Sequence, residues 1–286
     1  MMRATRALTA ALLAVGCIGV IAFASSASLV IPLRTRVQVF KDSDNWQAVT
    51  ARGDFAPADS AIIVCDMWDK HWCAGATNRV EDLARRMDPV LRKARETHVL
   101  VIHAPSETME FYKDYPQRQV VLRASSFPHP ESLVLADPPL PIDDSDGGCD
   151  TPGDKEHPVW KRENPLLSIG PEDAISDNGD EIYNLLRQRN IHTLFIMGVH
   201  ANMCILNRSF AIKQMTKWGL HCVLVRDLTD AMYNPARKPF VSHVAGTELV
   251  VEHIERFWCP SALSADLILA MARASGSYSG HPAGKR

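Results

Sequence analysis

Four short apolar runs rich in β-branched residues constrain this chain more than any other feature: "SAIIVC" (60–65), "HVLVIHA" (98–104), "HTLFIMGV" (192–199) and "HCVLVRD" (221–227). Each has the length of a strand buried on both faces, and stretches with helical periodicity lie between and after them. Val80, Leu83, Ala84, Met87, Val90, Leu91 and Ala94 form one apolar stripe, with Pro89 inside it, so a kink or two shorter helices is expected there. "SDNGDEIYNLLRQRN" reads as a capped helix, "MCILNRSFAIKQMTKWG" as one helix stopped by Gly219, and "GTELVVEHIERFW" as the last. Strand and helix in alternation predict an α/β fold with three layers, α/β/α, around a mostly parallel sheet.

Other segments decorate that unit. "LRTRVQVF" and "WQAVTARGDF" alternate around "KDSDN" and predict a hairpin extension over 31–56. The main domain is expected over 57–262, with a long loop-rich insertion at about 104–170, broken by a short strand at "QVVLR". Residues 263–286 read as a C-terminal segment ending in a flexible tail. Residues 1–27 carry two arginines in the opening "MMRATR" and continue as an apolar run to Ala22-Phe23-Ala24, which reads as a signal peptide. An uncleaved membrane anchor is the second reading, and lipidation at Cys17 a third. The chain is therefore expected to be exported, periplasmic or extracellular, with membrane attachment through the N-terminus kept open.

The chain has 286 residues, 46% of them hydrophobic, and a formal net charge of -2. That supports a large core and gives no basic surplus for nucleic acid. Six cysteines follow the leader. Cys65 and Cys222 sit in apolar runs as buried thiols, and Cys73 with Cys149 is the first pair to test for a disulfide.

In sheets of this kind chemistry collects at the carboxyl ends of the strands. Asp66, His103 and the turn before Cys204 all fall there. An aspartate closing an apolar strand is costly to bury without partners, and such a carboxylate can accept a thiol proton. Cys204 falls in the first turn of its helix, where the dipole favours a thiolate. Lys161, in "PVWKRENPLLS", offers a cation for both anions. Taken singly, each has an ordinary reading: a packed thiol, a cap or ion-pair aspartate, a solvated lysine.

Together, Asp66 in "CDMWDKHW", Lys161, and Cys204 in "MGVHANMCILNRSFAIKQMTKWGLHCVLVRDLTDA" resemble the isochorismatase-like cysteine hydrolases, the group of nicotinamidases and carbamoylsarcosine amidases. The resemblance covers roughly residues 60–260. It implies an Asp-Lys-Cys triad that cleaves a C–N bond of a small amide through a thioester. It also implies a cis peptide at Val199–His200, with the N–H groups of His200 and Cys204 facing the oxyanion. An oligomer and a small-molecule substrate follow from it as well. Two alternatives stay open: an isochorismatase-type hydrolase that does not use the cysteine, and a non-catalytic binding relative. The metal-binding Asp-x-His element of nicotinamidases is replaced here by "IHAPSETMEF", so no cofactor is required by the resemblance. Weak metal candidates are His71, His103, Asp144, Asp146 and Asp150, the last three in "DDSDGGCD", which lacks the glutamate and spacing of an EF-hand. Candidate pocket residues are Trp68, His71, Trp72, His103, Phe111, Tyr112, Trp160 and Asn202.

Overall fold

The computed structural model describes residues 28–276. The leader and the last ten residues, on which the signal, anchor, lipidation and tail readings fall, lie outside them. No helix among the described residues is long and apolar enough to cross a membrane.

One eight-stranded sheet organises the molecule. Its strands are β1 (Leu29–Gln38), β2 (Trp46–Phe55), β3 (Ser60–Cys65), β4 (Leu100–Ala104), β5 (Ala174–Ile175), β6 (Thr193–Val199), β7 (His221–Asp230) and β8 (Ser261–Ala262), in the order β2-β1-β8-β7-β6-β3-β4-β5. The run from β8 to β5 is parallel. The hairpin β1–β2 adds antiparallel strands at one edge, through Arg34 opposite Ser261. The four apolar runs are the four central strands, which explains their lack of alternation: both faces are covered.

Side chains leave the sheet alternately. Ile62 and Val64 meet α1 (Ala74–Glu96) and α8 (Ser264–Ala274). Ala61, Ile63 and Cys65 meet α4 (Gly179–Gln188), α6 (Ile212–Lys217) and α7 (His243–Phe257) on the other face. The three-layer α/β/α expectation holds. The hairpin is bound into this body as well as extending it: Arg34 and Arg36 bond the carboxylate of Glu255 on α7, whose side chain is fully buried.

Several local expectations are corrected. Helix α1 runs unbroken through Pro89, at the cost of one backbone hydrogen bond. "QVVLR" lies in helix α3 (Pro116–Leu122), not in a strand; Pro116 at its first turn presets the helical φ and outweighs the β-branched pair. The helix expected over 203–219 divides into α5 (Cys204–Asn207) and α6. It breaks because Arg208 is extended, with ψ 150°, and turns its guanidinium inward, while the Ser209 hydroxyl accepts the Gly179 N–H at the start of α4. Residues 264–274, expected only as a C-terminal segment, form α8. The insertion also carries the one-turn α2 (Met109–Tyr112).

The sheet's topology leaves one natural crevice. From β3 the chain goes to β4 on one side, and β6 lies on the other, so connections diverge above the carboxyl ends of β3 and β6. Gly198 permits the close approach of these strands there. Its φ is +121°, and a Cβ would lie 2.0 Å from the carbonyl oxygen of Cys65. We expect Gly198→Ala to lower the unfolding free energy by at least about 2 kcal/mol, read from urea midpoints. An unchanged midpoint would show that this contact does not constrain the sheet.

Candidate active site

Asp66 follows β3 with a positive φ of 48° and has no exposed surface. Its carboxylate is enclosed by donors. The N–H of Ser106 donates to Oδ1 at 2.8 Å, and Nε of Arg208 donates to Oδ2 at 2.9 Å. The Cys204 thiol engages the same carboxylate. Burial raises the Asp66 pKa, and the opposing pull of Arg208, the thiol and Ser106 does not fully offset it. Burial, then the Asp66 charge, also pushes the Cys204 thiol well up, against Arg208 and the backbone N–H of His200. Both shifts favour the protonated forms, with sulfur as the thiol hydrogen-bonded to the carboxylate.

That corrects the expectation of a thiolate stabilised by a helix dipole. Helix α5 is a single turn, too short for a macrodipole to offset desolvation. A second correction concerns the cation. Lys161 is exposed; its backbone N–H donates to Oδ1 of Asp69 at 3.0 Å, and no ion pair joins it to Asp66. Arg208, four residues after Cys204, holds the carboxylate instead and also reaches Glu107 at 3.4 Å. Sequence reasoning missed Arg208, although its spacing from Cys204 was the available signal. The Val199–His200 peptide is cis.

Beside Cys204 opens a cavity of about 430 Å³. Trp68, His71, Trp72, Trp160 and His200 line it, as expected for the first four. Trp68 stacks on Trp160 with centroids 4.5 Å apart and planes 15° from parallel, and its indole N–H donates to the Ser106 carbonyl. His71 lies over Trp160 at 5.8 Å and beside Trp72 at 5.2 Å. The Cys73 N–H donates to Nδ1 of His71 at 3.1 Å, which places the proton of the neutral ring on Nε2. Burial, then Arg79, pulls the His71 pKa down to about 4. Burial, then His71, takes His200 down to about 3, and its buried Nε2 has no hydrogen-bond partner. Both rings are neutral at pH 7.

One wall of the cavity is tethered. Cys73 and Cys149 form a disulfide, with Cα atoms 5.7 Å apart. It joins the start of α1 to the loop bearing Gly147, Glu156, His157 and Pro158 at the cavity. The acidic part of that loop is bonded to protein donors. Asp144 accepts from Asn202 Nδ2 at 2.7 Å, Asp146 from the Gly148 N–H and Asn234, and Asp150 pairs with Arg79 at 2.6 Å. Asn202 is thus a strut that also bonds both backbone groups of Met232, and it does not line the cavity.

His103, Phe111 and Tyr112 do not line it either. His103 is fully buried, with Nδ1 2.7 Å from Glu163 and Nε2 3.0 Å from Asp173, so both ring nitrogens are taken. Tyr112 lies behind this group, its hydroxyl accepting the Glu163 N–H, and Phe111 is 44% exposed and packs on Tyr112. A second cavity, of about 440 Å³, lies by the amino end of β4, away from Cys204.

The fold has counterparts among solved structures. A cysteine hydrolase from Pseudomonas syringae pv. phaseolicola 1448A superposes with a TM-score of 0.50 at 18% identity, over 77% of this chain and 95% of that one. The likeness is one of fold. An isochorismatase family protein from Burkholderia thailandensis matches with a TM-score of 0.44 at 15% identity, over 75% and 96% of the two chains. No family model and no curated protein matches the sequence.

The buried His103 links the site's loops to pH. Burial opposes its charge, but Glu163 and Asp173 overcome that and lift its pKa to about 9. A pKa raised above the unfolded value of about 6.5 stabilises the fold fully below that pH, and the contribution is lost as pH rises through about 9. We expect the urea midpoint to fall between pH 6.5 and 9.5, and the His103→Gln protein to show a flatter profile. Parallel profiles would remove His103 from this role.

Proposed function

We propose that this chain is a cysteine hydrolase that cleaves the C–N bond of a small amide, with Asp66, Cys204 and Arg208 as its working groups. The observation that carries the reading is the convergence of a buried carboxylate, a thiol and a guanidinium at the mouth of an aromatic cavity. The likeness in fold to a protein described as a cysteine hydrolase is consistent with it.

The chemistry follows from the hydrogen bond between the thiol and the carboxylate. As sulfur attacks the carbonyl carbon, the thiol proton passes to Asp66, whose raised pKa suits it to accept and then release a proton. The developing oxyanion is met by the N–H groups of His200 and Cys204. When the C–N bond breaks, Asp66 protonates the leaving amine. Water then attacks the thioester, giving its proton to Asp66, and the acid leaves as the proton returns to sulfur. Arg208 keeps the carboxylate oriented and lowers the cost of its charge in a buried position.

A second reading rests on the thiol's high pKa: Asp66 acts alone, as in isochorismatase-type hydrolysis. Ammonia release from a panel of small amides separates the two. Cys204→Ala and Cys204→Ser should abolish turnover, Arg208→Ala should lower kcat/KM by at least about 100-fold, and Lys161→Ala should leave it within about twofold. Activity retained in Cys204→Ser but lost in Asp66→Asn would establish the second reading. A loss in Lys161→Ala equal to that in Arg208→Ala would return the lysine to the site.

A further inference from the structure

We propose that the cavity beside Cys204 takes amides bearing a cationic group, an ammonium or guanidinium, and rejects those bearing a carboxylate. The proposal rests on the hydrolase reading and deepens it by naming the substrate class.

The charges around the cavity carry the argument. Arg208 is the one guanidinium or ammonium among the lining residues. It is already committed to Asp66 at 2.9 Å and reaches Glu107 at 3.4 Å. A substrate carboxylate would have to compete with Asp66 for it, or be desolvated without a partner, and an ion buried without a partner is strongly disfavoured. The lining carboxylates are Glu107 and Glu156, both exposed at the cavity, with Glu156 in no ion pair among the described residues; His157 beside it meets the Lys155 carbonyl through Nδ1. His71 and His200 are neutral and add no positive field.

The aromatic surfaces point the same way. Trp72 and Trp160 are half-buried, with indole surface left to receive a ligand. Indole is the best of the side-chain faces for a cation, and its attraction grows when water is excluded. A cation over these faces has Glu156 at the same cavity to balance it. An anion meets the negative faces of the rings. The wall also holds His200, 2% exposed, whose Nε2 lacks a hydrogen-bond partner. Buried polar atoms of this kind are usually satisfied, and a polar group of the bound amide would satisfy it without any need for charge.

Binding can be read apart from turnover by using the Cys204→Ala protein and three probes of one shape. These are choline, its neutral carbon isostere 3,3-dimethylbutan-1-ol, and the anion 3,3-dimethylbutyrate. Titrations followed by tryptophan fluorescence and by ligand-observed NMR should rank choline at least about tenfold tighter than the neutral isostere, with the anion weakest. Glu156→Gln should narrow the gap between choline and the isostere, and added salt should do the same. Equal binding of choline and the isostere would overturn the proposal, because the shelf would then be merely apolar. Tightest binding of the anion, or binding of none of the three, would overturn it as well. The two readings fail separately: if Cys204 is not the nucleophile, the ranking of probes persists while the amidase activity is insensitive to Cys204→Ala. If the cation preference is wrong, the ranking disappears while that sensitivity stands.

Discussion

A carboxylate with no exposed surface must be surrounded by donors before a sheet can close above it. Asp66 meets that requirement with one backbone N–H from the loop after β4, and one thiol and one guanidinium from the segment that follows β6. Each donor imposes something on the fold. Ser106 ties the loop after β4 to the end of β3. Arg208 ends the short helix that begins at Cys204, since its side chain has to turn inward. Cys204 itself is fixed against the acid by the turn that leaves β6. The positive φ at Asp66 and the glycine at 198 are the backbone conditions under which these parts can meet. The carboxylate proposed to carry the proton is thus also the structural keystone.

Much of this was legible in the residues, because burial on both faces leaves a plain mark. The central strands read as uninterrupted apolar runs, and the two residues that break polarity rules at their ends, Asp66 and Cys204, lie together. What escaped was set by tertiary partners. Arg208 looked like one more charge on a helix that pattern alone would continue to Gly219, and only the position of Asp66 explains why the helix stops. Lys161 had the right charge, but half-buried Trp160 and buried Glu163 are the residues around it that turn inward, and the lysine is left in solvent. His103 sat at a strand end as a pocket residue should, yet two carboxylates from the insertion close over both its nitrogens. Phe111 and Tyr112 were near in sequence to the site and fell behind that same group. Long insertions carry weak periodic signals, so the direction in which their side chains face is fixed by contacts that no local pattern records.

The insertion does more than decorate the sheet. It supplies Trp160 to the aromatic stack, Glu163 and Asp173 to the buried histidine, and Glu156 to the cavity. The sheet offers a crevice, and the insertion gives that crevice its shape and electrical character. This division is common in α/β proteins, where a rigid scaffold carries variable loops that decide what is bound.

The bridge between Cys73 and Cys149 has a bearing on where such a molecule can work. It closes a ring of chain that runs from the start of α1 through β4 and most of the insertion, and it lies beside Trp72 rather than within the sheet. A thiol-rich environment would leave the strands and their core untouched, since no covalent link holds them. It would release the base of the loop that presents Glu156 and His157. The same polypeptide would then exist in two editions, alike in architecture and unlike in how firmly one flank of the binding chamber is drawn up, with the surrounding oxidant choosing between them.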